Sequence, residues 1–425
     1  MESIARAQPA AQAARGRTKR TWPSTFEIAC LAGMALALPL YEAPKNLLCA
    51  LYVIVWAINR LRTRDAGGPW AVWDTLFLVW IGSGFVVAAG AGIHDSEWAG
   101  ATDPVRYGLV AWCASRGRYR PGQWMVVLLA LIASGLIGLV WGFETLAAGR
   151  RHWLELHSVG HVNHSAIYLA ILAGACASLV AARWTSTGAL ARTIGLAVTA
   201  SLVGCLIVMA SRGAFAAALA CALAMGIGWW PRSRRMAAVI VLATGLVGAG
   251  AWLLPSPLKQ KSAMVEQTFG VMNGRDDIWR VAWREFVQHP WFGVGMDNYS
   301  HITKEHYEGE RAAGSVTEAG GRLLYYAHAH SLLLNTLAER GLAGTLPLAA
   351  VILAWAWSLL RRHPAGTAPP IAWTAWGAAL WALGVTLVAG LVNTSLHHEH
   401  AILATLMLGL WLDNGGQQQP ASQAS

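Results

Sequence analysis

The sequence predicts an all-α polytopic membrane protein of about twelve transmembrane helices with one large loop outside the cytoplasm. Three observations carry that prediction. Of 425 residues, 55% are hydrophobic and only 13% charged, against roughly 25% charged in soluble domains. Apolar runs recur from Ser24 to Trp411, and most are long enough to cross ~30 Å of hydrocarbon. Basic residues collect on alternate loops, as topology demands.

The runs are 24–41, 46–59, 69–92, 105–115, 122–146, 164–182, 193–211, 213–230, 236–254, 337–360, 371–392 and 400–413. The fourth is short, and losing it would invert every later loop. An even number of spans puts both termini on one side. The N-terminal tail carries Arg6, Arg15, Arg17, Lys19 and Arg20. The loops on its side carry Arg60, Arg62 and Arg64; Arg116, Arg118 and Arg120; Arg183 and Arg192; Arg232, Arg234 and Arg235; Arg361 and Arg362. The opposite short loops hold only Lys45, Arg106, Arg150, Arg151 and Arg212. Both termini are therefore expected in the cytoplasm. No apolar core with a cleavage site follows the basic N-terminus, so no removable signal peptide is expected.

The chain then divides into a cytoplasmic tail (1–23), spans one to nine (24–254), a large outer loop (255–327), a segment with spans ten to twelve (328–413) and a short tail (414–425). The net charge of +10 follows from the topology. No basic cluster is interleaved with aromatics in a soluble module, so no nucleic-acid partner is expected. All six cysteines fall inside apolar runs, which suggests neither a disulfide framework nor a zinc site.

The outer loop is polar. Its middle predicts a helix over 276–289: Asp276 and Asp277 suit a first turn, Trp279, Trp283, Phe286 and Val287 share a face, and Pro290 ends it. Gly293 and Gly295 mark a turn, and no strand-turn-helix context makes them a dinucleotide fingerprint. The small polar stretch 309–321 is a candidate gate.

Several residues are placed for chemistry. Arg212 stands between two apolar runs with almost no loop, either as a snorkelling anchor or facing a cavity to bind an anion. Gly213 beside it permits a tight turn. Arg275 precedes the predicted helix, and Arg280 and Arg284 lie one turn apart on it. They suit either a solvated face or a phosphate, which guanidinium donors pair well. In Tyr325-Tyr326-Ala327-His328-Ala329-His330-Ser331, two histidines stand where the polar loop returns to apolar sequence. Gly341 and Gly344 follow. An imidazole near neutrality beside a hydroxyl is a general base. The i, i+2 spacing gives no shared helical face, and no third metal ligand is obvious nearby. His397-His398-Glu399-His400 reads as a metal tract or as an ordinary polar loop. His94, His152, His157, His161 and His164 also lie outside. Ionisable groups are scarce in mid-span, unlike most transporters. Arginines, a base and the membrane together favour a lipid-tailed diphosphate substrate.

Ser211-Arg212-Gly213, Gly274-Arg275-Asp276, Pro290-Trp291-Phe292-Gly293-Val294-Gly295 and His330-Ser331, with its spacing to Gly341 and Gly344, together resemble bacterial O-antigen ligases. These belong with the O-antigen polymerases and protein O-oligosaccharyltransferases. The resemblance runs from about Ser211 to Thr345. It implies a metal-independent glycosyltransferase of the inner membrane, needing no cofactor. Its donor is O-antigen on undecaprenyl diphosphate, and its acceptor a sugar hydroxyl of lipid A–core on the periplasmic side. It also implies that His330 is the catalytic histidine and that Arg212 and Arg275 hold the diphosphate. His328 lies outside the ligase motif, so the division of labour between the two histidines stays open. So do a polymerase, a protein O-oligosaccharyltransferase and a lipid or polysaccharide transporter.

Overall fold

A computed structural model describes residues 22–91, 97–269, 274–312 and 323–415, and among them every regular element is helical. The helices are α1 (Trp22–Ala37), α2 (Glu42–Thr63), α3 (Val72–Ala91), α4 (Glu97–Gly100), α5 (Thr102–Ser115), α6 (Pro121–Ala147), α7 (Val162–Arg183), α8 (Ala189–Met209) and α9 (Arg212–Gly228). They continue with α10 (Arg234–Leu253), α11 (Pro257–Phe269), α12 (Arg275–Gln288), α13 (Lys304–Ala312), α14 (Leu332–Arg361), α15 (Pro370–Gly390) and α16 (His398–Gly415). All twelve predicted apolar runs coincide with helices. Seven are long and apolar enough to cross a membrane: α3, α6, α7, α8, α10, α14 and α15. The other five, α1, α2, α5, α9 and α16, are shorter or carry more charge. This is a polytopic membrane protein.

The centre of the bundle is α7 against α15. Ile167 to Leu172 on α7 are fully buried, as are Trp373, Ala375, Ala378 and Ala382 on α15. Small residues allow the approach. A Cβ on Gly174 would stand 2.1 Å from the Trp381 ring, and one on Gly377 would stand 2.3 Å from Ser178 Oγ. Close backbone approach at small residues drives helix association where lipid supplies no hydrophobic gradient. α8 and α10 lie at the rim, with Leu190, Ile194, Leu242 and Leu246 exposed. An apolar exposed face is what lipid contact requires.

Polar contacts lock the two ends of the bundle. At one end Asp413 accepts from the Arg118 and Tyr119 N–H groups (2.8 and 3.0 Å) and from Trp124 Nε1 (2.7 Å). Asp74 pairs with Arg116, and Glu27 lies 3.5 Å from Arg60 and accepts from Asn59 (2.8 Å). Two basic loops, those of Arg60 and Arg116, therefore share this end. At the other end the buried Lys45 pairs with Glu399 and with Glu42, and Ser158 Oγ donates to Glu399 (2.8 Å).

Three expectations about elements are corrected. The loop helix begins at Arg275 rather than after it, with Gly274 in the left-handed region (φ 68°) as its N-cap. The stripe of Trp283 and Val287 points outward, each about half exposed, while Ile278, Val281, Ala282 and Glu285 form the packed face. Periodicity groups residues on a stripe without saying which stripe packs against the rest of the chain. The tenth span begins at Leu332, five residues early, because helix α14 continues through a break at Gly341. The gate assigned to 309–321 lies mostly outside the described residues, as do most of both termini.

Candidate functional site

The site begins with the break in α14. Gly341 has φ 53° and ψ −157°, a combination open only to glycine. The break frees carbonyls before it and N–H groups after it. The Pro290–Gly295 loop takes both sets. Val294 N–H donates to Ala338 O (2.8 Å) and Gly295 N–H to Glu339 O (3.0 Å); Leu342 N–H donates to Pro290 O (2.8 Å) and Ala343 N–H to Trp291 O (2.9 Å). No side chain fits between. A Cβ on Gly341 would meet the Trp291 carbonyl carbon at 2.4 Å, and one on Gly293 would meet Ala338 O at 2.4 Å. The loop is thus spliced into the helix. A small core of Val281, Ala282, Val294, Tyr299, Ile302, Ala329 and Ala338 completes the union.

That splice fixes α12 beside the start of α14. Ser331 caps α14, its hydroxyl accepting from Leu334 N–H. Ala329 N–H donates to Asn335 Oδ1 (2.9 Å), which pins the segment carrying both histidines. His330 is held with φ 48°, a strained value for a non-glycine residue and one that clusters at functional sites. Its ring lies 5.2 Å from Tyr326 and 4.2 Å, edge-on, from His328.

Arg275 comes to this place as the first residue of α12, half-buried, its Nε without a protein partner. Arg212 arrives from the other half of the chain. Ala210 ends α8 in the left-handed region (φ 53°), Ser211 is extended, and Arg212 opens α9. A Cβ on Gly213 would press on Val392 at 2.7 Å, so the turn is set tightly against the segment before α16. Arg212, Arg275 and His330 therefore gather at one end of the bundle. Burial, then the Arg212 charge, lowers the Arg275 pKa, and burial, then His328 and Arg275, push His330 down to about 3. The unliganded imidazole is neutral at physiological pH and able to accept a proton.

Arg280 and Arg284 are engaged otherwise. Arg280 pairs with Asp277 and lies 3.8 Å from Asp276 on its own helix. Arg284 is buried, paired with Glu285, and its guanidinium carbon stands 4.2 Å from the Tyr307 ring. The Glu285 carboxylate raises its pKa despite burial, the largest effect. The Tyr307 contact ties α12 to α13.

Further histidines stand near His328 in space. His164 at the start of α7 stands 5.9 Å from His328, 5.9 Å from His161, 5.9 Å from His397 and 5.1 Å from His400, ring to ring. Nitrogens of His164, His328, His397 and His400 lack protein partners. These residues come from three separate segments, so no local spacing could have announced the cluster. Among the described residues no three His, Cys, Asp or Glu side chains are arranged to hold a metal ion. Glu399 within the C-terminal tract is committed to Lys45.

An apolar groove of about 540 Å³ runs from the site along α14 and α15, lined by Trp279, Ser331, Leu332, Leu348, Leu387 and Val392 among others. Ser331 joins it directly to His330.

Residues 196–349 match the family model described as O-antigen ligase. Over that segment, which is just over a third of the chain, the protein is similar to O-antigen ligases. The ligase segment spans most of α8 through the first half of α14. It contains Arg212, Arg275, His328, His330 and both glycines of the splice, while His164 and the 397–400 tract lie outside it. No curated protein matches the chain.

Proposed function

We propose that this chain is an O-antigen ligase, which transfers O-antigen polysaccharide from undecaprenyl diphosphate to a sugar hydroxyl of lipid A–core, at the periplasmic face of the inner membrane. The observation that carries the reading is the gathering of Arg212, Arg275 and neutral His330 beside a groove of lipid-like polarity. The groove takes part of the polyprenyl tail, and the arginines hold the diphosphate with paired donors that stay charged. His330 takes the proton of the acceptor hydroxyl as its oxygen attacks the anomeric carbon. The sugar–diphosphate bond breaks on the opposite face, and its electron pair goes to the diphosphate. The configuration inverts. The arginines stabilise the growing charge. No acid is needed, because diphosphate leaves readily. α12 roofs the site against water, which otherwise competes as nucleophile.

His330→Ala tests the base directly. General-base assistance contributes about 10²–10⁴-fold, so the variant should insert normally and lose that much ligation with purified donor and acceptor. A rate near wild type removes His330 from the role and passes the test to His328. Offering a second lipid-linked glycan or a Ser/Thr peptide in place of lipid A–core separates the polymerase and protein-transferase readings by product.

A further inference from the structure

We propose that Lys261 is a third arm of the anion site, placed to compensate the charge that appears on the diphosphate as the sugar departs. The proposal rests on the glycosyl-transfer reading for its chemistry and on the fold for its geometry. Lys261 lies on α11, which packs against α8, the helix that leads into Arg212. Its Nζ sits 4.4 Å from the centre of the Trp153 ring, in the connection that runs on to His161 and α7. It is half-buried. The His161 ring leads by ring contacts through His164 and His328 to His330. Lys261 therefore touches two segments, α8 through its own helix and the connection before α7 through Trp153. Its own pKa is lowered by burial, then by Arg212 and Arg275, which places the three cations within one another's field.

Several of the other buried cations have carboxylate partners. Lys45 has Glu42 and Glu399, Arg116 has Asp74, and Arg284 has Glu285. Among the described residues Lys261, Arg212 and Arg275 form no ion pair with a carboxylate, and Arg275 Nε is left without a partner. Three like charges held together away from full solvent repel, and only an anionic ligand relieves them. The number is informative. A diphosphate joined to a lipid and a sugar carries one negative charge on each phosphate, which two arginines match. When the sugar–oxygen bond breaks, the electron pair stays on the phosphate oxygen and adds a third charge, while the acceptor proton goes to His330. A third cation is then matched to the product and to the transition state more than to the donor. Interactions of that kind raise kcat rather than lower KM. The Trp153 face holds the ammonium by cation–π attraction without neutralising it.

The test uses the full-length chain in detergent. Inorganic pyrophosphate and inorganic phosphate are titrated against thermal stability, and donor kinetics are measured beside them. Lys261→Ala should weaken pyrophosphate binding about tenfold, the scale of one hydrogen bond to a charged group, and change phosphate binding far less. It should lower kcat with donor KM little changed. Lys261→Arg should restore both, which a merely structural lysine gives no reason to expect. Unaltered pyrophosphate binding and kcat in Lys261→Ala, with the chain monodisperse, overturns the proposal. The two readings fail separately. Lysine-dependent pyrophosphate binding in a chain that transfers no glycan upholds the anion site and sinks the transferase. Transfer at the wild-type rate by Lys261→Ala does the reverse.

Discussion

At His330 the proposed chemistry and the strain coincide. A positive φ at a non-glycine residue persists only where the surroundings impose it, and here Ser331's cap and the Asn335 contact do so. The low pKa has a kinetic consequence. A lowered value keeps the base form down to more acid pH, so activity falls only as pH drops through the shifted value. The acid limb of kcat/KM reports the free enzyme, in which burial, His328 and Arg275 push His330 down to about 3. That limb is expected well below the ordinary imidazole value of about 6.5. Bound diphosphate offsets the push from Arg275, so the limb of kcat should lie higher than that of kcat/KM. Paired pH–rate profiles check this, and two limbs together near the ordinary value would contradict it. The arginines make a separate prediction. Arg212→Lys and Arg275→Lys keep the charge and lose the planar pair of donors. Each should cut turnover by about tenfold or more, on the scale of one charge-assisted bond. Full turnover in both variants would make these residues interfacial anchors.

At the scale of elements, the decisive feature is the splice of the Pro290–Gly295 loop into α14. It converts a helix break, ordinarily a loss of hydrogen bonds, into four bonds to another segment. It also sets where α12 begins and hence where Arg275 stands. Gly341→Ala places a Cβ 2.4 Å from the Trp291 carbonyl carbon and asks alanine for a glycine-only conformation. The expected loss is about 2–4 kcal/mol, combining backbone strain and overpacking. The thermal transition in detergent should fall and ligation with it. Wild-type stability would mean that the loop and helix do not depend on this contact.

At the scale of the molecule, the two ends differ in kind. One end ties arginines to carboxylates, and the other gathers histidines and unpaired cations. Basic loops mark the cytoplasmic side in bilayers, so the gathered end is expected outside. All six native cysteines are buried and should be silent to a membrane-impermeant maleimide in intact spheroplasts. Glu308→Cys, at a side chain 61% exposed on α13, should label from outside. Arg62→Cys, exposed at the end of α2, should label only after lysis. The opposite pattern would invert the topology and place the site in the cytoplasm.

The sequence by itself determined the helices and supplied the motifs on which the proposed site rests. Apolar runs leave a chain in lipid little choice but helix, because each backbone group must be satisfied within its own segment. Charge asymmetry and the His330-Ser331 and Pro290–Gly295 motifs are likewise local and readable in order. Tertiary structure decided the rest. That Gly293 and Gly341 fit each other is a contact across nearly fifty positions, invisible to either motif alone. The outward face of Trp283 depended on what lies beyond the helix, since periodicity gives a stripe without saying which side is packed. His164, His400 and Lys261 carry no local signature. They meet the site only because α7, α11 and α16 end at one level of the bundle, and the distances between distant residues are set by packing.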